Sequence, residues 1–264
     1  MARVCPLFSG SSGNSSYIAT AGGGLLIDAG VSCKRLFGAL CDNHIDPCGV
    51  RGVLITHEHT DHISGLRVFL KKTGAMLFAS EAVLDYLCQG GHLPAGTPVS
   101  PVRPDEPFEV DDVEVRGFAI SHDSVGPLGY RLSLPDGRTA AYATDMGVVT
   151  ESVIKALTGA DLVILEANYD PLMLAGGSYP YILKKRIMSD HGHLANLESA
   201  KLAAKLVATG TTRIVLAHLS QENNRPDIAH TAVSRALEKQ GMVAGIDYTL
   251  SVAPRNHPGD MIAY

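Results

Sequence analysis

Between Ile55 and Gly65 the chain reads ITHEHTDHISG, which sets His57, His59, Asp61 and His62 within six positions. Imidazole and carboxylate groups together suit borderline divalent cations. His57 and His59 stand two apart, so they can face one ion only from an extended or tightly turned loop. A helical pair would stand four apart. Asp61 and His62 then point elsewhere, and the segment supplies parts of two neighbouring sites. Paired cations lower the pKa of a bound water and clamp the oxygens of a reacting group, which is hydrolytic chemistry. A histidine-rich turn can also be a solvated loop, so the decision rests on what surrounds it.

Short apolar runs bounded by Gly, Pro or Asp recur along the chain: GLLIDAG, GVLITH, AMLFAS, VEVRGFAIS, YRLSL, AAYATD, DLVILEA, RIVLAH and YTLSVA. Their length and β-branched content read as strands, several of them buried on both faces. Helical patterns lie between them over 32–41 behind a Ser32 cap, 81–89, 150–157, 197–209 and 227–240, with a further helix in SGLRVFLKK after the histidine cluster. Interleaved strands and helices make the class α/β. No linker, repeat or low-complexity tract divides residues 1–264, which read as one domain. Asp28, His57, His122, Asp145 and His218 are each the first ionisable residue after an apolar run, and strand ends converge on one rim in such folds. This gives His57, His59 and His122 for one ion, Asp61, His62 and His218 for another, and Asp145 as a bridge. Asp28 is spare and reads as a partner that orients a ligand, as do Glu166 and Asn168, although Asn168 also opens an ordinary turn. Glu58 is either solvent-facing or a structural hydrogen-bond partner. His44, His92, His230 and His257 are assigned nothing.

HEHTDH, followed in order by His122, Asp145 and His218 and preceded by Asp28, resembles the metallo-β-lactamase superfamily. That resemblance implies an αββα sandwich with a dinuclear site on its rim, across nearly the whole chain. The segment SDHGHLANLESAKLAAK, ahead of the last ligand strand, is similar to one in tRNase Z-like phosphodiesterases. His193 matches the histidine that assists there at the scissile phosphate. FSGSSGNSSY, LEANYD, YPYILKKRI, GHLAN and HLSQENN together resemble the YycJ/WalJ group of bacterial nucleases, with Ala195 standing where that group carries Ser. The implied substrate is DNA, cut from a 5′ end. FSGSSGNSS lacks the following helix of a phosphate-cradling loop and reads as a tight hairpin near the site. Lys184, Lys185 and Arg186 could clamp a phosphate or form a solvated helix face.

A net charge of −5 and the absence of Trp exclude a broadly basic, base-stacking surface, so binding of nucleic acid has to come from the site. No apolar run reaches the roughly eighteen residues of a membrane span, and the first residues lack a secretory pattern. Five cysteines at irregular spacing fit a reducing cytoplasm. The expected mechanism is attack by a metal-bridging hydroxide, with Asp61 as ligand and proton acceptor and His193 donating to the phosphate or its leaving alkoxide. Without a thiolate ligand, the two divalent ions could be zinc, manganese or iron. Competing readings are hydrolysis of a small phosphodiester, thioester or lactone, and a metal-stabilised binding protein without turnover. Oligomeric state is not legible.

Overall fold

A computed structural model describes residues 3–264. Strands β1 (Arg3–Phe8), β2 (Ser15–Thr20), β3 (Gly23–Ile27), β4 (Val50–Leu54), β5 (Met76–Ala79) and β6 (Val99–Pro101) form one sheet. Strands β7 (Pro107–Val110), β8 (Val113–Ala119), β9 (Leu128–Ser133), β10 (Thr139–Ala143), β11 (Leu162–Glu166), β12 (Arg213–Ala217) and β13 (Thr249–Val252) form the other. A last strand, β14 (Ile262–Ala263), returns to pair antiparallel with β1.

Alternation along the strands builds the layers. In β3, Leu25 and Ile27 meet Tyr130, Tyr142 and Ile164 between the sheets, while Leu26 faces outward. Outside the first sheet lie α1 (Cys33–Asp42), α3 (Leu66–Thr73) and α4 (Glu81–Gln89), whose Leu36, Phe69 and Val83 cover Leu26 and Val53. Outside the second sheet lie α5 (Glu151–Leu157), α8 (Asn196–Ala208) and α9 (Pro226–Lys239), whose Leu157, Ala203 and Val233 cover Val163 and Leu216. The layers are therefore helix, sheet, sheet, helix. Three further short helices are α2 (Thr60–Ile63), α6 (Pro171–Gly176) and α7 (Tyr181–Ile187). The expected Ser32 cap is present, its hydroxyl accepting from the Arg35 amide at 3.4 Å.

All nine apolar runs became strands. The strands β1, β2, β6, β7 and β14 were not foreseen, because they are short, carry proline or serine, or sit toward the sheet margins. Strand direction then fixes the site. β3 and β4 are parallel, as are β10, β11 and β12, and β8 runs with β10 because each is antiparallel to β9. Their carboxyl ends therefore collect on one rim. The two sheets are tied there by Leu128 N–H donating to Thr56 O at 3.0 Å and Tyr130 Oη donating to Ile55 O at 2.7 Å.

Candidate metal centre

Three of the strand-end residues turn sharply as they leave their strands. Asp28, Asp145 and His218 sit at φ 62°, 60° and 55°, in the left-handed region. Asp and His enter it more readily than bulkier residues do, and each entry costs about 1–2 kcal/mol. The turn bends each side chain back over the rim. It is held tightly: the His218 amide donates to Ser9 Oγ at 2.7 Å, and the Asp28 amide to Leu54 O at 2.8 Å.

Four sets of donor atoms result, each with its atoms within 4.8 Å of one another: His57, His59 and His122; Asp61, His62 and His218; His57, His62 and Asp145; and Asp145, Glu166, His193 and His218. The first two are the triads expected from the sequence, and Asp145 lies between them. Its Oδ2 is 3.4 Å from His62 Nε2, and its Oδ1 is 3.3 Å from His218 Nδ1 and 3.9 Å from His122 Nε2.

The backing groups fix which imidazole nitrogen faces the centre. His62 Nδ1 donates to Asp28 Oδ2 at 2.7 Å. His57 Nδ1 meets Thr56 Oγ1 at 3.0 Å, and that hydroxyl donates in turn to Asp28. His122 Nδ1 faces the Gly192 carbonyl at 3.1 Å, and His218 Nδ1 faces Glu166 Oε1 at 3.1 Å. The Nδ1 side of each ring is thereby engaged, and Nε2 is the nitrogen turned toward the centre. His57 Nε2, His218 Nε2 and Asp145 Oδ2 are buried without a hydrogen-bond partner. Buried polar atoms rarely stay unpaired. Three such atoms converging from three strand ends fit divalent cations.

Electrostatics follow from the same packing. Burial holds His57 and His122 below the usual imidazole range. Burial pulls the same way on His62 and His218, but carboxylates override it. Asp28, Asp145 and Asp61 lift His62 well above that range, and Asp145, Asp61 and Glu166 lift His218 to about 10. Asp61 and Asp145 are in turn held far below the carboxylate range, against their own burial, by His62 and His218.

An open cleft of about 240 Å³ leads to the centre, lined by His59, Asp61, Asp145, Arg186, His193 and Ser11 among others. His193 Nδ1 donates to Glu166 Oε1 at 2.8 Å, and Glu166 Oε2 accepts from the Met146 and Leu194 amides at 2.7 and 3.2 Å. Asn168 donates to the His218 carbonyl at 2.8 Å. Arg186 reaches the cleft wall paired with Asp123 at 2.5 Å. Lys185 does not line the cleft. Its Nζ lies 5.6 Å from the Tyr181 ring centroid. Lys184 donates to the Ala175 and Gly177 carbonyls at 2.8 and 2.7 Å, closing the α6–α7 loop. Glu58 is a structural partner, accepting from Ser124 Oγ at 2.6 Å and the Val125 amide at 3.2 Å.

Sequence reasoning missed Asn14, Thr56 and Asp123. Asn14 occupies the β1–β2 turn, where its amide reaches Asp61 Oδ2 at 3.2 Å and His62 Nε2 at 3.0 Å. The one available signal was the small-residue run GSSGN, which lets that turn pack backbone to backbone against Gly30 and Asp61.

Two packed sheets with helices outside and histidines and aspartates at the strand ends define a metallo-β-lactamase fold. The beta-lactamase superfamily domain matches residues 24–219, and the chain belongs to that superfamily. It is 36% identical to the exodeoxyribonuclease WalJ of Streptococcus pneumoniae over 248 residues, 92% of this chain and 90% of that protein. It is also 36% identical to the exodeoxyribonuclease YycJ of Bacillus anthracis over 247 residues, 90% of each. Among solved structures, the metallo-β-lactamase fold protein YhfI of Bacillus subtilis superposes with a TM-score of 0.73 at 17% identity, covering 99% of this chain and 98% of that one.

Proposed function

We propose that the protein is a metal-dependent phosphodiesterase that degrades DNA exonucleolytically from 5′ ends, using two divalent cations of zinc, manganese or iron. The observation that carries the reading is the match to two exodeoxyribonucleases across nine-tenths of the chain. A tenth of 264 residues is about 26, so Asp28 to His218 lies within the matched span. His57, His59 and His122 would hold one cation, and Asp61, His62 and His218 the other, with Asp145 between them. Asp28, Asp61, Asp145 and Glu166 are four carboxylates around the centre, a charge of −4 that two divalent cations balance. Such ions supply a nucleophilic water near neutral pH and neutralise charge developing on a phosphodiester.

The chain's own groups do the positioning. Asp28, directly and through Thr56, holds His62 and His57 in the tautomer that presents Nε2. Glu166 fixes the proton on His193 Nδ1, so Nε2 is the nitrogen left for the cleft. A ring so held accepts a proton at Nε2 when neutral and donates one from Nε2 when doubly protonated. It can therefore hydrogen-bond a phosphate oxygen and protonate a leaving alkoxide. Asp61 is a ligand and stands ready to orient the attacking water. Arg186, steadied by Asp123, offers its guanidinium to a phosphate at the cleft wall. The five cysteines are all free, which suits a reducing cytoplasm, and among the described residues no helix is long and apolar enough to cross a membrane.

The test is elemental analysis of the purified protein followed by digestion of 5′-phosphorylated duplex DNA labelled at either end, with Asp61→Ala as control. Bound metal and early release of the 5′ label are expected, with the control inactive. Metal-free protein, or equal activity in the control, would defeat the reading.

A further inference from the structure

The helix α7 (Tyr181–Ile187) has its apolar residues on the wrong side for an ordinary surface helix. At 3.6 residues per turn, Tyr181, Lys185 and Met188 follow one line, with Ile182 and Arg186 beside them. This whole arc is exposed: Tyr181 is 71%, Ile182 82% and Met188 53% accessible. The opposite face is already satisfied, with Leu183 and Ile187 packed against Tyr169, Leu174 and Ala195. A surface helix normally turns a polar arc to water. Here three large apolar side chains alternate with two cations.

The arc continues directly into the cleft. Arg186 stands at one edge of it and lines the cleft wall. The carboxyl end of α7 is locked to the segment that carries His193: the His193 amide donates to Ile187 O at 2.9 Å. A Cβ on Gly192 would stand 2.2 Å from the Arg186 and Ile187 carbonyls, so the two segments touch backbone to backbone. The helix therefore keeps a fixed place relative to the candidate catalytic histidine.

We infer that the outer face of α7 is a platform for single-stranded DNA, on which the strand lies next to the end held in the cleft. This rests on the nuclease reading above. Tyr181 stacks a base, Ile182 and Met188 contact sugar and base faces, and Lys185 pairs with a backbone phosphate. Stacked aromatics beside cations are the chemistry of sequence-tolerant single-strand binding. The choice of a nucleic acid over a second copy of this chain follows from charge. The chain carries −5 overall, yet this arc presents Lys185 and Arg186 and no carboxylate of its own, the one acid that meets it being Asp123, which pairs with Arg186 at the cleft end. A polyanion is complementary to that arc, whereas a two-fold dimer through it would lay the arc against its own copy, cation on cation.

The test uses metal-loaded protein and a phosphorothioate-protected, 5′-phosphorylated single-stranded oligodeoxynucleotide carrying 2-aminopurine at successive positions from its end. The wild type is expected to quench the fluorophore at one internal position, and Tyr181→Ala to abolish the quench and weaken binding about tenfold, whereas Tyr181→Phe retains both. In parallel, turnover of unprotected oligonucleotide relative to bis(p-nitrophenyl) phosphate should fall in Tyr181→Ala. If the wild type digests DNA and Tyr181→Ala binds and digests it equally well, the platform is wrong and the nuclease reading stands. If the wild type hydrolyses the small diester but neither binds nor digests DNA, the nuclease reading fails and the platform falls with it. Sedimentation showing a dimer that Ile182→Glu dissociates would overturn the platform in favour of a self-association face.

Discussion

Glu166→Gln is a change of one atom that the surroundings cannot absorb. The carboxylate is fully buried and accepts four hydrogen bonds: from the Met146 and Leu194 amides on Oε2, and from His193 Nδ1 and His218 Nδ1 on Oε1. A glutamine can accept on one side only. If its NH2 turned toward the two backbone amides, two buried N–H donors would face a donor, at about 1–3 kcal/mol each, or roughly 2–6 kcal/mol in all. If it turned toward the histidines, Nδ1 of both rings would have to become the acceptor. His193 would move its proton to Nε2, and His218, which its carboxylate neighbours keep protonated in the metal-free protein, would give up its Nδ1 proton and keep the one on Nε2. His218 Nε2–H would then find Asp61 Oδ2, now 3.5 Å away, so every group would remain paired. The second arrangement is the cheaper one. Its consequence is that His218 loses the lone pair a cation needs. The expectation is a variant that folds, with a metal-free melting temperature close to that of the parent, but binds metal about 10- to 100-fold more weakly, or about 1.4–2.7 kcal/mol. Competition against a chromogenic chelator measures the affinity, and thermal melting of chelated protein measures the fold. Parental metal affinity in Glu166→Gln would refute the tautomer argument.

Two glycine substitutions should have opposite signs. A Cβ on Gly30 would lie 1.7 Å from Asp61 O and 2.5 Å from Asn14 N, so Gly30→Ala must push the ligand loop away and should cost more than the ordinary 1–3 kcal/mol of overpacking, with loss of bound metal in elemental analysis. Gly38 sits exposed within α1 with nothing within 4 Å, so Gly38→Ala should raise stability by about 0.5–1 kcal/mol in urea titration. Ala195 is the N-cap of α8, in extended conformation and without a side-chain cap bond. Ala195→Ser should therefore add about 1 kcal/mol, seen as a rise of about 2–4 °C in melting temperature, and a variant no more stable than the parent would mean the hydroxyl is not a cap.

How far the sequence could be read depended on the kind of position each residue holds. The ligand candidates were legible because each lies on or just past a strand of its own. An apolar run that stops at an Asp or His is visible without knowing which strand lies beside it. Asp145 and His218 are of this kind, and so is the pair of triads, since HEHTDH keeps four donors within one loop and one short helix; Asp28 ends its strand in the same way but was set aside as a partner. What could not be read was the partition into two sheets. Strands β7 to β13 look no different in sequence from β3 to β5, and only pairing decides which face which. Reading the αββα arrangement depended on the resemblance, not on periodicity.

Asp28 and Glu166 could be picked out as partners, but which ligand each one holds could not, and Asn14 and Asp123 were not visible at all, for a reason of distance along the chain. Asp28 backs His62 across 34 residues, Asn14 reaches Asp61 across 47, Glu166 holds His193 across 27 and Asp123 meets Arg186 across 63. No spacing rule spans such intervals, because the intervening chain forms strands and helices whose lengths do not bear on the contact. Side-chain type gives no help either: Asn14 looks like turn punctuation, and Asp123 looks like a solvated loop acid. The same reasoning separates Lys184, Lys185 and Arg186, three adjacent cations that the sequence treats alike. On a helix, successive side chains point about 100° apart. One cation therefore closes a loop, one stands over Tyr181 and one reaches the cleft. Three identical charges acquire three different uses from helix geometry alone, and only Arg186 is left in reach of a phosphate bound at the centre.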